Sequence, residues 1–138
     1  MSTIDAATDD QQPTPRSVTE LLSDQSRIAM VMTMIDGDHS SRPVTIADVS
    51  ERRLSFLVSR STAWVQSIVD QRAVVHVTVA DESHNVYLAM NGTALVVHDT
   101  PELERLWSPV ARAWFDGPDD PDLAALHFDV SDGEYWDG

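Results

Sequence analysis

The sequence predicts a small antiparallel β-barrel decorated by helices, and three observations carry this prediction. Five or six short segments rich in β-branched residues recur along the chain, separated by turn signals such as Asp36-Gly37. Asn91-Gly92 falls near the middle of one long strand-like segment, where a glycine indicates the bulge that a strand needs to curl into a barrel. Two or three helical segments are interspersed among the strands.

The predicted strands share short runs of apolar or alternating β-forming residues. They are RIAMVMTMI at 27–35, RPVTIADV at 42–49, RRLSFLVS at 52–59, AVVHVTVAD at 73–81, NVYLAMNGTALVVHD at 85–99 and LAALHFDV at 123–130. The last of them leads to GEYWDG at the end of the chain.

Helix signals occur at three places. Ser17 stands three residues before Glu20, the spacing of a capping box, and predicts a short helix that opens the folded part. A second helix is predicted over about 62–70. A third, over about Thr100–Trp114, has Thr100 as its N-cap and Pro101 at its first position, and the DGPDDPD loop ends it.

The length of 138 residues fits one domain, and we find neither repeats nor a second domain boundary. Residues 1–16 are polar, acidic and punctuated by prolines, which predicts a disordered acidic tail. The folded domain is therefore expected to span 17–138.

The charge of the chain limits its partners. The formal net charge is −14, and all nine basic residues are arginine. Such a surface repels nucleic acid and anionic membranes, so neither is expected as a partner. A proteome biased towards arginine and acidic residues explains this composition more simply than a surface made for a basic partner. No apolar run has the length of a signal peptide or membrane span, so we expect a cytoplasmic protein.

Several classes of site lack their motifs. The chain has no cysteine, and its five histidines never fall at a metal-binding spacing, so no metal is expected. The nucleophile elbow GxSxG, the GxGxxG fingerprint and the P-loop are absent, which argues against a serine hydrolase and against those nucleotide sites. Asp119, Asp120 and Asp122 form an acidic loop that we interpret as a solvated turn rather than a calcium site.

The aromatic residues are concentrated in the last third of the chain. Trp107 and Trp114 are seven residues apart on the predicted third helix, which places them on one face. For Trp107, core packing and ligand contact stay equally open. Trp114 and Phe115 lie where that helix meets the proline loop, a position typical of aromatics that cover a flat ligand or a partner subunit.

The segment FLVSRSTAWVQSI, residues 56–68, reads as a strand, a hydroxyl-rich turn and the start of a helix. Exposed backbone N–H groups and the positive end of the helix dipole favour an anion at such a turn. Ser59, Ser61 and Thr62 supply hydroxyls, but no cation follows Arg60. A phosphate site, a former phosphate site and a plain helix cap are all consistent with this pattern.

The C-terminal residues 106–138, LWSPVARAWFDGPDDPDLAALHFDVSDGEYWDG, closely resemble the C-terminal signature of the pyridoxamine 5′-phosphate oxidase-like proteins. The nearest branch is that of the general stress proteins among the FMN-binding split barrels. SRPVT at 41–45 and NGT at 91–93 are similar to shorter strand motifs of the same family. The resemblance runs in the right order from about Thr19 to Gly138.

The resemblance implies a mainly β fold with helices, a six-stranded antiparallel split β-barrel that forms a homodimer with two flavin sites in its interface. It further implies an FMN-dependent oxidoreductase, whose substrate and catalytic residues stay unspecified. The residues that would bind the cofactor are Arg42, Pro43, Val44 and Thr45 along the flavin, Val58, Ser59 and Thr62 along the ribityl chain and phosphate, and Trp64, Trp114 and Trp136 around the pocket.

This chain departs from the family at the implied phosphate clamp. Relatives usually carry Ser-Arg-Lys where it has Thr62, Ala63 and Trp64, so both cations are missing. A hydrogen bond to a charged group contributes roughly 1.5–3 kcal/mol, so the loss of two lowers affinity on the order of a hundredfold. With Arg42 and Arg60 still present, the clamp is weakened rather than excluded. The alternative function is a non-catalytic dimer that binds another planar ligand or acts in stress response.

Overall fold

Strands dominate the computed structural model, which describes residues 2–5, 22 and 28–137. In chain order the elements are β1 (Ser2–Asp5), β2 (Ile28–Ile35), β3 (Asp38–Ser50), β4 (Arg53–Ser59), α1 (Ala63–Gln66), β5 (Ala73–Asp81), β6 (Val86–Val97), α2 (Thr100–Leu106) and β7 (Leu123–Asp137). Short 3₁₀ turns at Glu82–His84 and Pro109–Ala113 follow β5 and α2.

The strands form one antiparallel sheet in the order β1-β7-β4-β3-β2-β5-β6. β6 also pairs with β7, from Val86 opposite Asp137 to Val97 opposite Ala125. This pairing closes β2 to β7 into a six-stranded antiparallel barrel within the described residues. The predicted fold class is thus confirmed.

Two apolar clusters stabilise the described fold. Alternate side chains of the strands fill the barrel, and those with no exposed surface include Val31, Leu54, Phe56, Val77, Met90 and Phe128. A smaller cluster lies outside the barrel, where α2 covers β4 and β7; its buried members are Leu103, Leu106, Leu123 and Ala125. Trp107 and Phe115 pack against this second cluster, so Trp107 contributes to packing.

The bulge predicted at Asn91-Gly92 is present. Asn91 lies opposite Asp132 and Gly92 opposite Val130, so Ser131 of β7 is the extra residue. A Cβ added at Gly92 would collide with the carbonyl group of Asp129. Glycine is therefore required by the close approach of β7 rather than by an unusual backbone angle.

The prediction of one helix over Thr100–Trp114 is wrong. α2 ends at Leu106, and Ser108 has an extended backbone (φ −142°, ψ 163°). Pro109 causes the break, because its ring disfavours helical geometry in the residue before it. Trp107 and Trp114 therefore do not share a helix face.

Helix boundaries and the last strand also differ from the sequence prediction. The residue that precedes α2 as its N-cap is Asp99 rather than Thr100. The helix predicted over 62–70 is reduced to Ala63–Gln66 and is followed by turns. β7 continues to Asp137, well beyond the predicted end, because β6 pairs with it along this extension.

The N-terminal predictions fall mostly outside the described residues. Ser2–Asp5, within the predicted tail, form β1 and pair with β7 from Asp132 to Tyr135. The rest of the tail and the capping box at Ser17 and Glu20 lie outside the described part of the chain.

Candidate functional site

The turn between β4 and α1 was the sequence-predicted anion site, and it is shaped by its own hydroxyl groups. Ser59 ends β4, and Thr62 is extended (φ −71°, ψ 146°) immediately before α1. The Thr62 hydroxyl donates to the Ser59 carbonyl oxygen at 2.9 Å instead of capping the helix. The Ser59 and Ser61 hydroxyls lie 3.0 Å apart and form a further hydrogen bond.

The carboxylate of Asp122 accepts hydrogen bonds from the donors of this turn. Asp122 Oδ1 accepts from the Ser61 backbone N–H at 2.9 Å, and Asp122 Oδ2 accepts from the Ser59 hydroxyl. The Asp122 carbonyl oxygen also accepts from the Arg60 backbone N–H at 2.8 Å. The pKa of Asp122 is held below its ordinary value, first by the hydrogen bond from Ser59 and then by the bonds from Ser61 and the charge of Arg60. An ionised side chain of the protein thus accepts from two donors of the turn that the resemblance implies for a phosphate.

The residues at this turn do not fit a phosphate dianion. Ala63 and Trp64 replace the two cations of the family pattern, and the Arg60 guanidinium donates to the Pro121 carbonyl oxygen at 3.2 Å. A phosphate at the Ser59 and Ser61 donors would displace Asp122 or lie against its negative charge. The weakened clamp stays a prediction.

Arg42 and Trp64 are brought together by the fold. The Arg42 guanidinium carbon lies 4.7 Å from the centre of the Trp64 ring, within the range of a cation–π contact. The same guanidinium donates to the Val31 carbonyl oxygen at 3.1 Å, Thr33 Oγ1 at 2.8 Å and Ser40 Oγ at 2.9 Å. Burial lowers its pKa, and among the described residues no carboxylate lies within ion-pair distance. Arg42 is thus a half-buried cation held by three oxygen acceptors and one indole, with no carboxylate partner among the described residues.

The remaining predicted β3 and β4 residues point in different directions. Arg42 and Val44 share one side of β3, and Val44 packs against the barrel core. Pro43 and Thr45 are exposed on the opposite side. Val58 is buried in the barrel core. The side chains of these predicted residues therefore do not all lie on one side of the sheet.

An exposed apolar surface covers part of the outside of the barrel. Met30 lies opposite Pro43 and Thr78, and Ile28 lies opposite Thr45, so the exposed side chains of these strands share one side. The exposed large apolar side chains on this outer face are Ile28 (52%), Met30 (40%), Met34 (60%), Val74 (84%) and Trp136 (41%). We call this the outer apolar face. The sequence signal for the outer apolar face was the apolar run of β2, which puts apolar side chains on both sides of the strand.

The two C-terminal tryptophans lie on separate elements. Trp136 is on β7 opposite Tyr87, and Trp114, 76% exposed, follows the 3₁₀ turn after α2. Among the described residues, no hydrogen bond or ring contact joins either of them to Arg42 or Trp64.

A polar network fixes α2 against the barrel on another side. Glu102 accepts from Arg105 Nε at 2.7 Å and bonds His127 Nε2 at 2.6 Å, while His127 Nδ1 lies 3.3 Å from the Arg53 guanidinium. The bonds from Arg105 and then His127 lower the pKa of Glu102 from 4.5 to about 2. These residues were not predicted as a group, because they come from three distant segments. Their bonds to one another indicate a structural role.

The described residues contain no group of three or more His, Asp or Glu side chains that could hold a metal ion. Within the same residues, no helix has both the length and the apolar character needed to cross a bilayer.

Comparison with known proteins gives a consistent result. A family model described as pyridoxamine 5′-phosphate oxidase like matches residues 14–138. A search of curated protein sequences found no significant match. Among solved structures, a general stress FMN/FAD binding protein of Xanthomonas citri is similar with a TM-score of 0.70 and 26% identity, over 81% of this chain and 80% of that chain.

Two further solved structures share the fold. A Clostridium acetobutylicum protein related to general stress protein 26, of the pyridoxinephosphate oxidase family, has a TM-score of 0.72 and 24% identity, over 83% of this chain and 82% of its own. General stress protein 26 of Bacillus anthracis has a TM-score of 0.70 and 17% identity, over 80% and 84% of the two chains.

Proposed function

Because the chain belongs to the pyridoxamine 5′-phosphate oxidase-like family, we propose that it is a flavin-binding split-barrel protein that acts as a homodimeric oxidoreductase. The observation that carries the proposal is the family match over 14–138 on a six-stranded barrel. The similarity to an FMN/FAD binding stress protein at 26% identity supports a flavin as the ligand. A cytoplasmic location remains a prediction.

The outer apolar face supports the homodimer. Five large apolar side chains stand exposed there, on a chain whose net charge is −14. Several large apolar side chains exposed on one side of a protein are typical of an interaction surface. A symmetric pair of such faces would bury them mutually, since the same patch serves on both subunits of a two-fold dimer. Trp136 on this face would then border a site shared by two subunits.

Arg42 and Trp64 are the residues we assign to the ligand within one chain. The guanidinium is held by three oxygen acceptors and by the indole, so its position is fixed before any ligand arrives. A fixed planar cation suits an electron-rich carbonyl edge or an aromatic ring. A bound flavin would supply the electron chemistry, and the protein its orientation and electrostatic surroundings.

The alternative function is a non-catalytic dimer that carries a different planar ligand. The observation that favours it is Asp122, whose carboxylate fills the turn implied to hold the FMN phosphate. The family membership itself does not distinguish a carrier from an enzyme.

The proposal is tested on the purified full chain. Light scattering in moderate salt should give about twice the chain mass of 15.3 kDa. Titration with riboflavin and with FMN, followed by quenching of flavin fluorescence, should show saturable binding of at least one of them. A monomer that binds neither flavin would refute the proposal. An NAD(P)H-dependent change in the absorbance of the bound flavin separates the oxidoreductase from the carrier.

A further inference from the structure

A hydrogen-bonded row of three polar side chains crosses the outside of the barrel. His76 on β5, Asn91 on β6 and Asp132 on β7 lie opposite one another in the sheet. Asn91 Nδ2 donates to Asp132 Oδ1 at 2.8 Å, and Asn91 Oδ1 lies 2.8 Å from His76 Nδ1. The strand neighbours of His76, Val75 and Val77, are buried in the barrel core, so His76 itself faces outwards.

This row fixes the position of the proton on the imidazole. An ionised carboxylate only accepts hydrogen bonds, so the Asn91 amide turns its nitrogen towards Asp132 and its oxygen towards His76. Because the amide oxygen also only accepts, His76 Nδ1 carries the proton and donates it to this bond. Nε2 of the neutral ring is then an acceptor, and it makes no hydrogen bond with any described residue.

His76 lies within the outer apolar face. Met32 is opposite His76 on β2, and the exposed Met30 and Met34 flank Met32 on the same side of that strand. Val74, two residues before His76 on β5, is also exposed. A homodimer that buries the outer apolar face therefore buries His76 with it.

Few charges face His76 from the neighbouring strands. The outward side of β2 and the rest of that side of β5 carry none. The titratable groups on this side of the other described strands are His39, Tyr87, Asp129, Asp132 and Glu134. Asp129 is already paired with Arg53 and Arg72, and among the described residues no ion pair joins His76 to a carboxylate. An imidazolium at this position would thus lack a directly bound counter-charge.

We propose that His76 makes the homodimer dependent on pH, so that the two chains associate when the imidazole is neutral and separate when it is protonated. The partner on the outer apolar face is a second copy of this chain, so the proposal rests on the proposed homodimer and adds its regulation. Burial of an unpaired charge is costly, so the dimer excludes a proton that the free chain takes up at His76. Proton uptake therefore favours the separate chains, and association weakens as the pH falls.

The dissociation constant of the wild-type dimer tests this proposal. Sedimentation equilibrium over a dilution series gives this constant at several pH values between 8 and 5.5. An ordinary histidine is half protonated near pH 6.5, so two excluded protons should raise the dissociation constant about a hundredfold at pH 5.5. The slope of its logarithm against pH should approach two protons per dimer at the acidic end, a readout that needs no variant.

His76→Gln is the variant that removes the charge. Glutamine keeps an N–H donor for Asn91, so the dimer should form, and it should not weaken at pH 5.5. Its association should instead strengthen there, because protonation of the other histidines reduces the net charge of −14 that makes the chains repel each other.

His98→Gln is the matched control. His98 is exposed after β6, and its side chain makes no described hydrogen bond, so this variant should follow the wild type. A wild-type dissociation constant that does not rise at pH 5.5, or a His76→Gln dimer that weakens as the wild type does, would refute the role of His76 while leaving the dimer intact. A wild-type chain that is monomeric at every pH would refute the proposed homodimer and this inference with it.

Discussion

Replacement of Glu102 by glutamine should destabilise the fold in a pH-dependent way. Glu102 joins α2 to β7 through His127 and is bonded by Arg105 on its own helix. These bonds lower its pKa from 4.5 to about 2. Since one pKa unit corresponds to about 1.36 kcal/mol, the full linkage is about 3 kcal/mol. The side chain keeps 16% exposure, and solvent screening reduces the expected value to about 1–2 kcal/mol.

The sign of the pH effect follows from the lowered pKa. The unfolded chain takes up a proton near pH 4.5, but the folded chain does so only near pH 2. The contribution of Glu102 is therefore complete above pH 4.5 and is lost as the pH falls towards 2. The difference in unfolding free energy between wild type and Glu102→Gln should be constant near neutral pH and shrink over that acidic interval.

Urea denaturation measured at several pH values tests this prediction. Glu104→Gln is the matched control, because Glu104 lies on the same helix, is exposed and makes no described hydrogen bond. It should change stability by less than about 0.5 kcal/mol. A Glu102→Gln variant as stable as wild type at pH 7, or a stability difference that does not change down to pH 2, would contradict the reasoning.

Three further substitutions test the dimer, the ligand pair and the barrel closure. Met30→Asp puts a charge on the outer apolar face, so light scattering should give half the mass of the wild-type dimer. Val110 is exposed on the 3₁₀ turn, and Val110→Asp should leave the dimer mass unchanged. Trp64→Ala should weaken flavin binding, and it should cost about 2 kcal/mol of stability because a half-buried indole is lost. Unchanged quenching of flavin fluorescence would contradict a role of Trp64 in flavin binding. Gly92→Ala should cost about 2 kcal/mol or more, because its Cβ meets the Asp129 carbonyl; an unchanged melting temperature would show that β7 can shift aside.

The strands were predictable because their signals are local. β5 begins at Ala73 and ends at Asp81, as predicted, since β-branched residues recur along it without a glycine or proline. The extension of β7 through Gly133 was not predictable from its own residues, which are mostly polar and include a glycine. It is a strand because β6 lies beside it, a pairing between residues distant in sequence. The break at Ser108 had a local signal in Pro109, but the apolar periodicity of the segment obscured it.

The candidate site was predictable only in part. The resemblance drew attention to the turn at Ser59 and to the absent cations at Ala63 and Trp64, and their part in ligand binding stays a prediction. It did not indicate that Asp122 fills the turn, because an acidic loop next to prolines is ordinarily solvated. The two partners are 63 residues apart, and the pairing of β4 with β7, in which Leu123 lies opposite Ser59, brings them together. The outer apolar face could not be predicted either, because it depends on which side of β2 faces outwards once the barrel has closed.

The missing cation at position 63 and the carboxylate of Asp122 should both disfavour a phosphate at this turn, and their effects on FMN affinity should be coupled. Restoring a cation by Ala63→Arg alone would place it beside Asp122, where an ion pair within the protein would compete with the ligand. Removing the carboxylate alone leaves no added positive charge at position 63. The double variant Ala63→Arg, Asp122→Asn should therefore raise FMN affinity by more than the product of the single effects, because groups in direct contact are not additive. Trp64 is left in place, since it stacks on Arg42 and packs against the core. Strictly multiplicative gains in FMN affinity, measured by titration of all four proteins, would show that the two positions act on the phosphate independently and that Asp122 does not occupy its place.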